Sequence, residues 1–301
     1  MKTPPSLQKG DLIAFASPAR SIKAEELQTA IQFFEENGYK VKIDSEVNAV
    51  FNQFAGDDEK RAQHFQSLLD DPLVKAIVCS RGGYGSLRIV DKLDFSQFEK
   101  SPKWIVGYSD ITVFHAQLLK LYNAESIHGS MPVNFATNST EALTGLIACL
   151  EGKSPDYFVS QNSMNRAGKA CGQLIGGNLS ILYSLQGSLS FPDSTGNILF
   201  IEDLDEYLYH IDRMVLSLKR GGLFDGIAGL IVGGMTEMKD NTIPFGKTAE
   251  EIILEHVDEY DFPVCFGFPA GHIHDNRPLI MGRKTTLEVH PDKKVRMIQQ
   301  T

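Results

Sequence analysis

The sequence predicts an α/β protein, with an N-terminal parallel-sheet domain flanked by helices and a C-terminal α/β or α+β domain. Three observations carry this. Short apolar runs alternate with helical patterns through the first half, which implies a parallel sheet covered on both faces. The alternation becomes less regular in the second half. Between them, Gly152-Lys-Ser-Pro155 and Ser160-Gln-Asn-Ser-Met-Asn-Arg166 read as a linker. Residues 1–150, 151–168 and 169–301 are therefore expected as first domain, linker and second domain. The chain has 301 residues, 42% hydrophobic and 22% charged, enough for two modest cores.

Taken in order, residues 10–16 read as a strand ending at Ser17-Pro18. Residues 24–37 follow as an amphipathic helix, with Leu27, Ala30, Ile31 and Phe34 on one face and Asn37-Gly38 closing it. Residues 39–43 are a second strand, 58–69 a helix, and 73–79 an apolar strand interrupted only by Lys75. In the second half, 197–201 and 226–232 read as strands, with a helix between them carrying Leu208, Ile211, Val215 and Leu218 inward. Thr248 and Glu251 form a capping box for the next helix. Residues 264–268 are a short strand, and 285–290 with 295–299 a hairpin.

Composition excludes some classes. The net charge is −9 and the pI about 5.4, with no basic patch, so nucleic-acid binding is not expected. No apolar run is long enough for a membrane span, and the N-terminus lacks a signal-peptide core. Cys79, Cys149, Cys171 and Cys265 are widely spaced. They read as small buried residues of a reducing cytoplasm, not as a disulfide frame or zinc site.

Residues 104–112, Trp-Ile-Val-Gly-Tyr-Ser-Asp-Ile-Thr, organise the rest. A buried strand ends at Gly107, and Ile111, Phe114, Leu118 and Leu121 begin a helix. Ser109 sits on the corner, where a hydroxyl can be pushed out as a nucleophile toward the N–H groups of the helix start. Serine is equally an N-cap, and G-x-S-x-G is not met because residue 111 is Ile. The other prominent strand end is the loop Ser80-Arg81-Gly82-Gly83-Tyr84-Gly85-Ser86. It is either a turn or an oxyanion loop, giving one N–H alongside that of Asp110. It matches neither the P-loop nor the dinucleotide fingerprint. Arg81 suits a substrate carboxylate, or is a solvated loop residue; Tyr84 lines the pocket or packs on the loop.

A hydroxyl nucleophile needs a base, and the base a carboxylate. Of the 8 histidines, His64, His115, His210 and His256 fall in helices, and His290 in the hairpin. His128 is a loop residue; His272 and His274 lie in the loop 269–276. His272, His274 and Asp275 also suggest a metal, without a supporting cluster. Glu202 ends a strand and competes with Asp203 and Glu206 as the orienting acid.

Together Arg81-Gly-Gly-Tyr-Gly85, Gly107-Tyr-Ser-Asp110, Gly176-Gly-Asn178, Phe200-Ile-Glu-Asp203 with Asp212-Arg213, and Gly271-His272 with Gly282 resemble the LD-carboxypeptidase family, the muramoyl-tetrapeptide carboxypeptidases and microcin self-immunity peptidases. The resemblance runs from about residue 10 to residue 290. It implies a Ser109–Glu202–His272 serine peptidase with its nucleophile on an elbow in the first domain and Glu and His in the second. It further implies a cytoplasmic homodimer that needs neither metal nor cofactor. The implied reaction releases the terminal D-alanine of murein tetrapeptide in cell-wall recycling. Two alternatives stand beside it. One is an immunity-type peptidase cleaving a peptidyl-nucleotide antibiotic, which should carry aromatics for an adenine; the single Trp, Trp104, is in a strand. The other is a non-catalytic small-molecule binding protein.

Overall fold

The computed structural model describes residues 1–300. The first half runs β1 (Leu12–Ala16), α1 (Gln28–Glu36), β2 (Lys40–Lys42), α2 (Asp58–Asp70), β3 (Val74–Cys79), α3 (Ser96–Lys100), β4 (Trp104–Gly107), α4 (Thr112–Tyr122), β5 (Ser126–His128) and α5 (Thr140–Leu150). The second runs β6 (Asp156–Val159), β7 (Gly168–Asn178), α6 (Leu179–Ser184), β8 (Ile198–Leu204), α7 (Leu208–Arg220), β9 (Gly229–Thr236), α8 (Ala249–His256), β10 (Val264–Cys265), β11 (Leu279–Met281), β12 (Lys284–Val289) and β13 (Val295–Gln299).

Two sheets result. The first has the order β11-β5-β4-β3-β1-β2 and is parallel except at β11. All but the edge strand β2 are buried on both faces, as unbroken runs such as Ile13 to Ala16 and Ala76 to Cys79 require. Phe65 and Phe114 stack on one side, with ring centroids 4.5 Å apart. Phe15, Phe34 and Phe135 fill the other. The second sheet has the order β10-β9-β8-β7-β12-β13-β6, parallel from β10 to β7 and antiparallel beyond. The amphipathic α7 and α8 cover its parallel part. Thr248 and Glu251 make the capping box.

The halves are stitched together. Strand β11 comes from the second half of the chain but pairs with β5 in the first sheet. Beside it the buried Arg283 binds the buried Glu125, with Nε 3.0 Å from Oε1. Such an arrangement leaves little freedom for one half to swing against the other.

Several segments differ from the sequence reading. Residues 156–159, inside the stretch expected as linker, form β6 by pairing with β13. Strand β9 runs on through Gly233 and Gly234 to Thr236, because the bare glycines admit the chain at Ala270 and Ile273. Strand β8 extends to Leu204, which puts Glu202 within the strand instead of beyond it. All four cysteines are free, and Cys79, Cys149 and Cys265 are buried, but Cys171 is exposed on β7. No helix among the described residues is long and apolar enough to cross a membrane.

Candidate active site

Strands β3, β4, β8 and β9 all point their carboxyl ends at one region, and the candidate side chains stand on the loops and strand ends that reach it. After β4 the chain turns so sharply that Ser109 adopts a left-handed φ of 62°. A non-glycine residue held there stores about 1–3 kcal/mol of strain. Tyr108, not Ser109, occupies the N-cap of the short helical turn that leads into α4. Among the described residues nothing hydrogen-bonds the Ser109 hydroxyl, so capping does not account for the serine.

The 80–86 loop folds onto this corner. A Cβ on Gly82 would come 3.1 Å from Ser109 Oγ and 3.3 Å from the Asp110 nitrogen. A side chain at this position would crowd the Ser109 corner. Gly83 has a φ of +111°, which also favours glycine. The loop is tethered from below: Asp110 Oδ2 accepts from the Ser86 N–H at 2.8 Å. Burial pushes the Asp110 carboxyl above the usual range, against the opposing pull of the Ser86 bonds and the charges of Arg61 and Arg20. Arg81 is half-buried, and its Nη1 donates to Ser21 O at 3.2 Å. Tyr84 is exposed, its ring 6.0 Å from that of Phe54.

The second half contributes an acid and a histidine. Glu202 is fully buried near the end of β8. Its Oε2 lies 2.6 Å from His272 Nδ1 and accepts the His272 backbone N–H at 3.1 Å. A carboxylate only accepts, so Nδ1 carries the proton and Nε2 keeps its lone pair. Burial opposes charge on His272, but Glu202, Asp203 and Glu237 outweigh it, and its pKa is raised. Glu202 is held lower than an ordinary carboxyl; burial works against this, and the imidazole, with Asn178, prevails. Gly271, at φ +106°, makes the pairing possible, since a Cβ there would come 2.7 Å from Glu202 Oε2. Asn276 Oδ1 accepts the Gly271 N–H, and Thr236 Oγ1 donates to His272 O.

Asp203 and Glu206 face elsewhere. Asp203 accepts from Asn178 Nδ2, Ser180 N and Leu204 N; burial and the charge of Glu202 raise its pKa to about 7. Glu206 binds His210 Nδ1 at 2.6 Å. His274 is exposed, and Asp275 is taken by Arg277 and Ser139. His128 is the last residue of β5, paired with Gly107, and not the loop residue expected from the sequence. It is completely buried beneath the site, its ring 4.9 Å from Phe200 and 5.7 Å from Tyr108, and burial drives its pKa down to about 3, so it stays neutral.

Tyr108 joins the two halves of the site. Its ring meets the His272 ring edge-on, with centroids 4.8 Å apart, and Ser109 is the next residue. Two further residues matter that the sequence reading did not single out. Thr112 accepts from the Asn178 N–H across the interface. Arg20 lies against Gly83. Arg20 follows the first strand, so strand-end position was the available signal. Thr112 gave none, because its partner is distant in sequence.

The arrangement suits acyl transfer: a strained hydroxyl, an imidazole oriented by a buried carboxylate, and backbone N–H groups beside the hydroxyl. Residues 12–129 match the LD-carboxypeptidase N-terminal domain, and residues 171–287 the LD-carboxypeptidase C-terminal domain. The probable murein peptide carboxypeptidase of Bacillus subtilis (strain 168) is 31% identical over 94% of this chain and 91% of its own length. The microcin C7 self-immunity protein MccF of Escherichia coli is 26% identical over 94% of this chain and 92% of its own length. The crystal structure of muramoyltetrapeptide carboxypeptidase from Oxalobacter formigenes superposes with a TM-score of 0.87 at 30% identity, covering 96% of this chain and 99% of that one. The chain therefore belongs to the LD-carboxypeptidase family and is a serine-type hydrolase of that family.

Proposed function

We propose that this enzyme releases the terminal D-alanine of murein tetrapeptide by cleaving an L,D-peptide bond, as a step of cell-wall recycling. The observation that carries the reading is the contact of Tyr108 with His272. It sets the imidazole, already bound to buried Glu202, beside the residue next to Ser109. The murein peptide and muramoyltetrapeptide carboxypeptidases among its relatives supply the substrate class.

His272 Nε2 takes the Ser109 Oγ proton as the oxygen bonds to the scissile carbonyl carbon. The carbonyl oxygen becomes an oxyanion, received by the N–H of Asp110 and one from Gly82 or Gly83. Glu202 stabilises the imidazolium without itself taking the proton. As the intermediate collapses, the C–N bond breaks and His272 gives its proton to the departing amine. Water, deprotonated by the same imidazole, then hydrolyses the acyl-enzyme and restores Ser109. A carboxypeptidase must also hold a free carboxylate; Arg81, expected for this from the sequence, and Arg20 stand beside the nucleophile as candidates, with Tyr84 on the same loop. The reading includes a homodimer in the cytoplasm.

The test is incubation with muropeptides of tri-, tetra- and pentapeptide stem, followed by mass spectrometry. Conversion of tetrapeptide alone to tripeptide supports the reading; an untouched tetrapeptide refutes it. Exposed Tyr207 and Tyr209, with rings 5.6 Å apart just past β8, favour a second reading, an immunity-type peptidase that stacks a nucleobase. A peptidyl-nucleotide amide in the same assay separates the two.

A further inference from the structure

The loop after β1 and the glycine loop after β3 are pinned together by two arginines. Arg61 Nη1 donates to Pro18 O at 2.5 Å and to Gly85 O at 3.0 Å. Arg81 Nη1 donates to Ser21 O. Between these pins stands Arg20, exposed to solvent. Its stem lies across Gly83, where a Cβ would come 2.5 Å from Arg20 Cδ and 2.9 Å from Nε. The adjacent glycine, Gly82, makes the corresponding approach to Ser109. Consecutive Cα atoms are about 3.8 Å apart. Arg20 and the hydroxyl thus flank neighbouring residues of one loop.

Arg20 is also unclaimed. Arg61, Arg88, Arg277, Arg283 and Arg296 each pair with a carboxylate. Among the described residues Arg20 has neither an ion pair nor a side-chain hydrogen bond. Its charge nevertheless reaches the site, where it favours ionised Asp110, behind the Ser86 bonds and Arg61.

We infer that Arg20 grips the free carboxylate of the substrate's last residue, while Arg81 acts through the loop by fixing the turn that presents Arg20. The inference rests on Ser109 being the nucleophile. A guanidinium matches a carboxylate with two parallel hydrogen bonds, and its stem is already fixed along Gly83. The scissile carbonyl and the terminal carboxylate of the leaving residue are one residue apart. That step matches the spacing of the two glycines. A chain continuing past that point would set an amide where Arg20 requires an anion, so Arg20 is the residue that enforces the carboxypeptidase cleavage proposed above.

The test compares kcat/KM for the tetrapeptide and for its C-terminal carboxamide. Wild type should favour the acid by about 10-fold or more, in the range of one hydrogen bond to a charged group. Arg20→Gln should abolish that preference by raising KM for the acid while leaving the carboxamide unchanged, and Arg20→Lys should restore part of it. Arg81→Gln should slow both substrates alike and keep the ratio. The inference is overturned if wild type shows no preference, if Arg20→Gln keeps it, or if Arg81→Gln loses it instead. Ser109→Ala serves as the control. Should it cleave either substrate at the wild-type rate, the nucleophile assignment itself fails. Inactivity of Ser109→Ala together with an unaltered preference in Arg20→Gln removes only the role given to Arg20.

Discussion

The backbone N–H of Asn178 donates to Thr112 Oγ1 at 3.0 Å, and this bond registers the nucleophile's helix against the strand beside Glu202. Asn178 pairs with Glu202 in the β7–β8 register, and its Nδ2 lies 3.3 Å from Glu202 Oε1. A Cβ on Gly177 would come 2.5 Å from Thr112 Oγ1, so the neighbouring glycine makes room for the joint. The hydroxyl and the imidazole come from different sheets, and Thr112 and Asn178 hold the two at a fixed offset.

Replacing Thr112 by Val keeps the shape and removes the acceptor. The expected result is a fall in kcat of about 10-fold or more with little change in KM, because a small misplacement of reacting groups is costly. Thr112→Ser should recover most of it. Steady-state kinetics, normalised to the fraction of protein that reacts with a fluorophosphonate, check this. Wild-type kcat in Thr112→Val would show that the joint does not set the site.

Glu202→Gln should leave the chain folded and lower kcat by about 10⁴-fold, the size of effect seen when a catalytic histidine loses its orienting carboxylate. The pH profile carries a second signature. The base must be neutral, and the pKa of His272 is raised despite burial, chiefly by Glu202. Wild-type activity should therefore fall as pH drops through a value above the ordinary histidine pKa of about 6.5. Without the Glu202 charge, burial governs, and the residual activity of Glu202→Gln should lose its acid limb at lower pH.

Gly82→Ala tests the oxyanion loop. Gly82 needs no left-handed backbone, so its Cβ adds only bulk, 3.0 Å from Ser109 Cβ and 3.3 Å from the Asp110 nitrogen. Thermal stability should change little, while kcat falls by about 10²-fold or more, comparable to the loss of an oxyanion donor. An active Gly82→Ala enzyme would move the oxyanion site elsewhere.

Asp110→Asn separates stability from catalysis. The amide oxygen still accepts from Ser86, and the oxyanion donor is the backbone N–H, so activity should persist. The buried Asp110 carboxyl has a raised pKa, principally from desolvation. The folded state then binds its proton more tightly than the unfolded state, so its ionisation destabilises the fold. That cost is absent below the unfolded value of about 3.9 and develops as pH rises through the folded value. Asn should therefore raise Tm at pH 7, and the advantage should vanish as pH falls toward 4. Melting curves across that range check the sign.

Local pattern made much of this molecule legible in its sequence. The buried runs of β1, β3 and β4 are apolar because both faces of a parallel sheet are covered, and the 3.6-residue pattern after Ile111 marks α4. Ser109 and Glu202 were legible because each stands near the carboxyl end of a strand; His272 was legible as a loop residue, although the strand expected over 264–268 stops at Cys265, well short of it. What escaped depends on partners remote in the chain. Strand β11 has only 3 residues and is defined by pairing with β5, about 150 positions earlier. Residues 156–159 are polar enough to read as linker, and only β13 makes them a strand. Glu202 could not be separated from Asp203 or Glu206 by pattern, since all three are acids near one strand end. The choice depends on which of them faces Gly271, where the missing Cβ admits the carboxylate.

The most direct measurement is the time course of D-alanine release from murein tetrapeptide by wild type and by Ser109→Ala, followed by mass spectrometry on protein shown to be folded. Wild type should convert tetrapeptide to tripeptide, and Ser109→Ala should leave it intact over the same period. Release by Ser109→Ala at the wild-type rate would contradict a nucleophile at the β4–α4 corner and, with it, the role given to the Glu202–His272 pair.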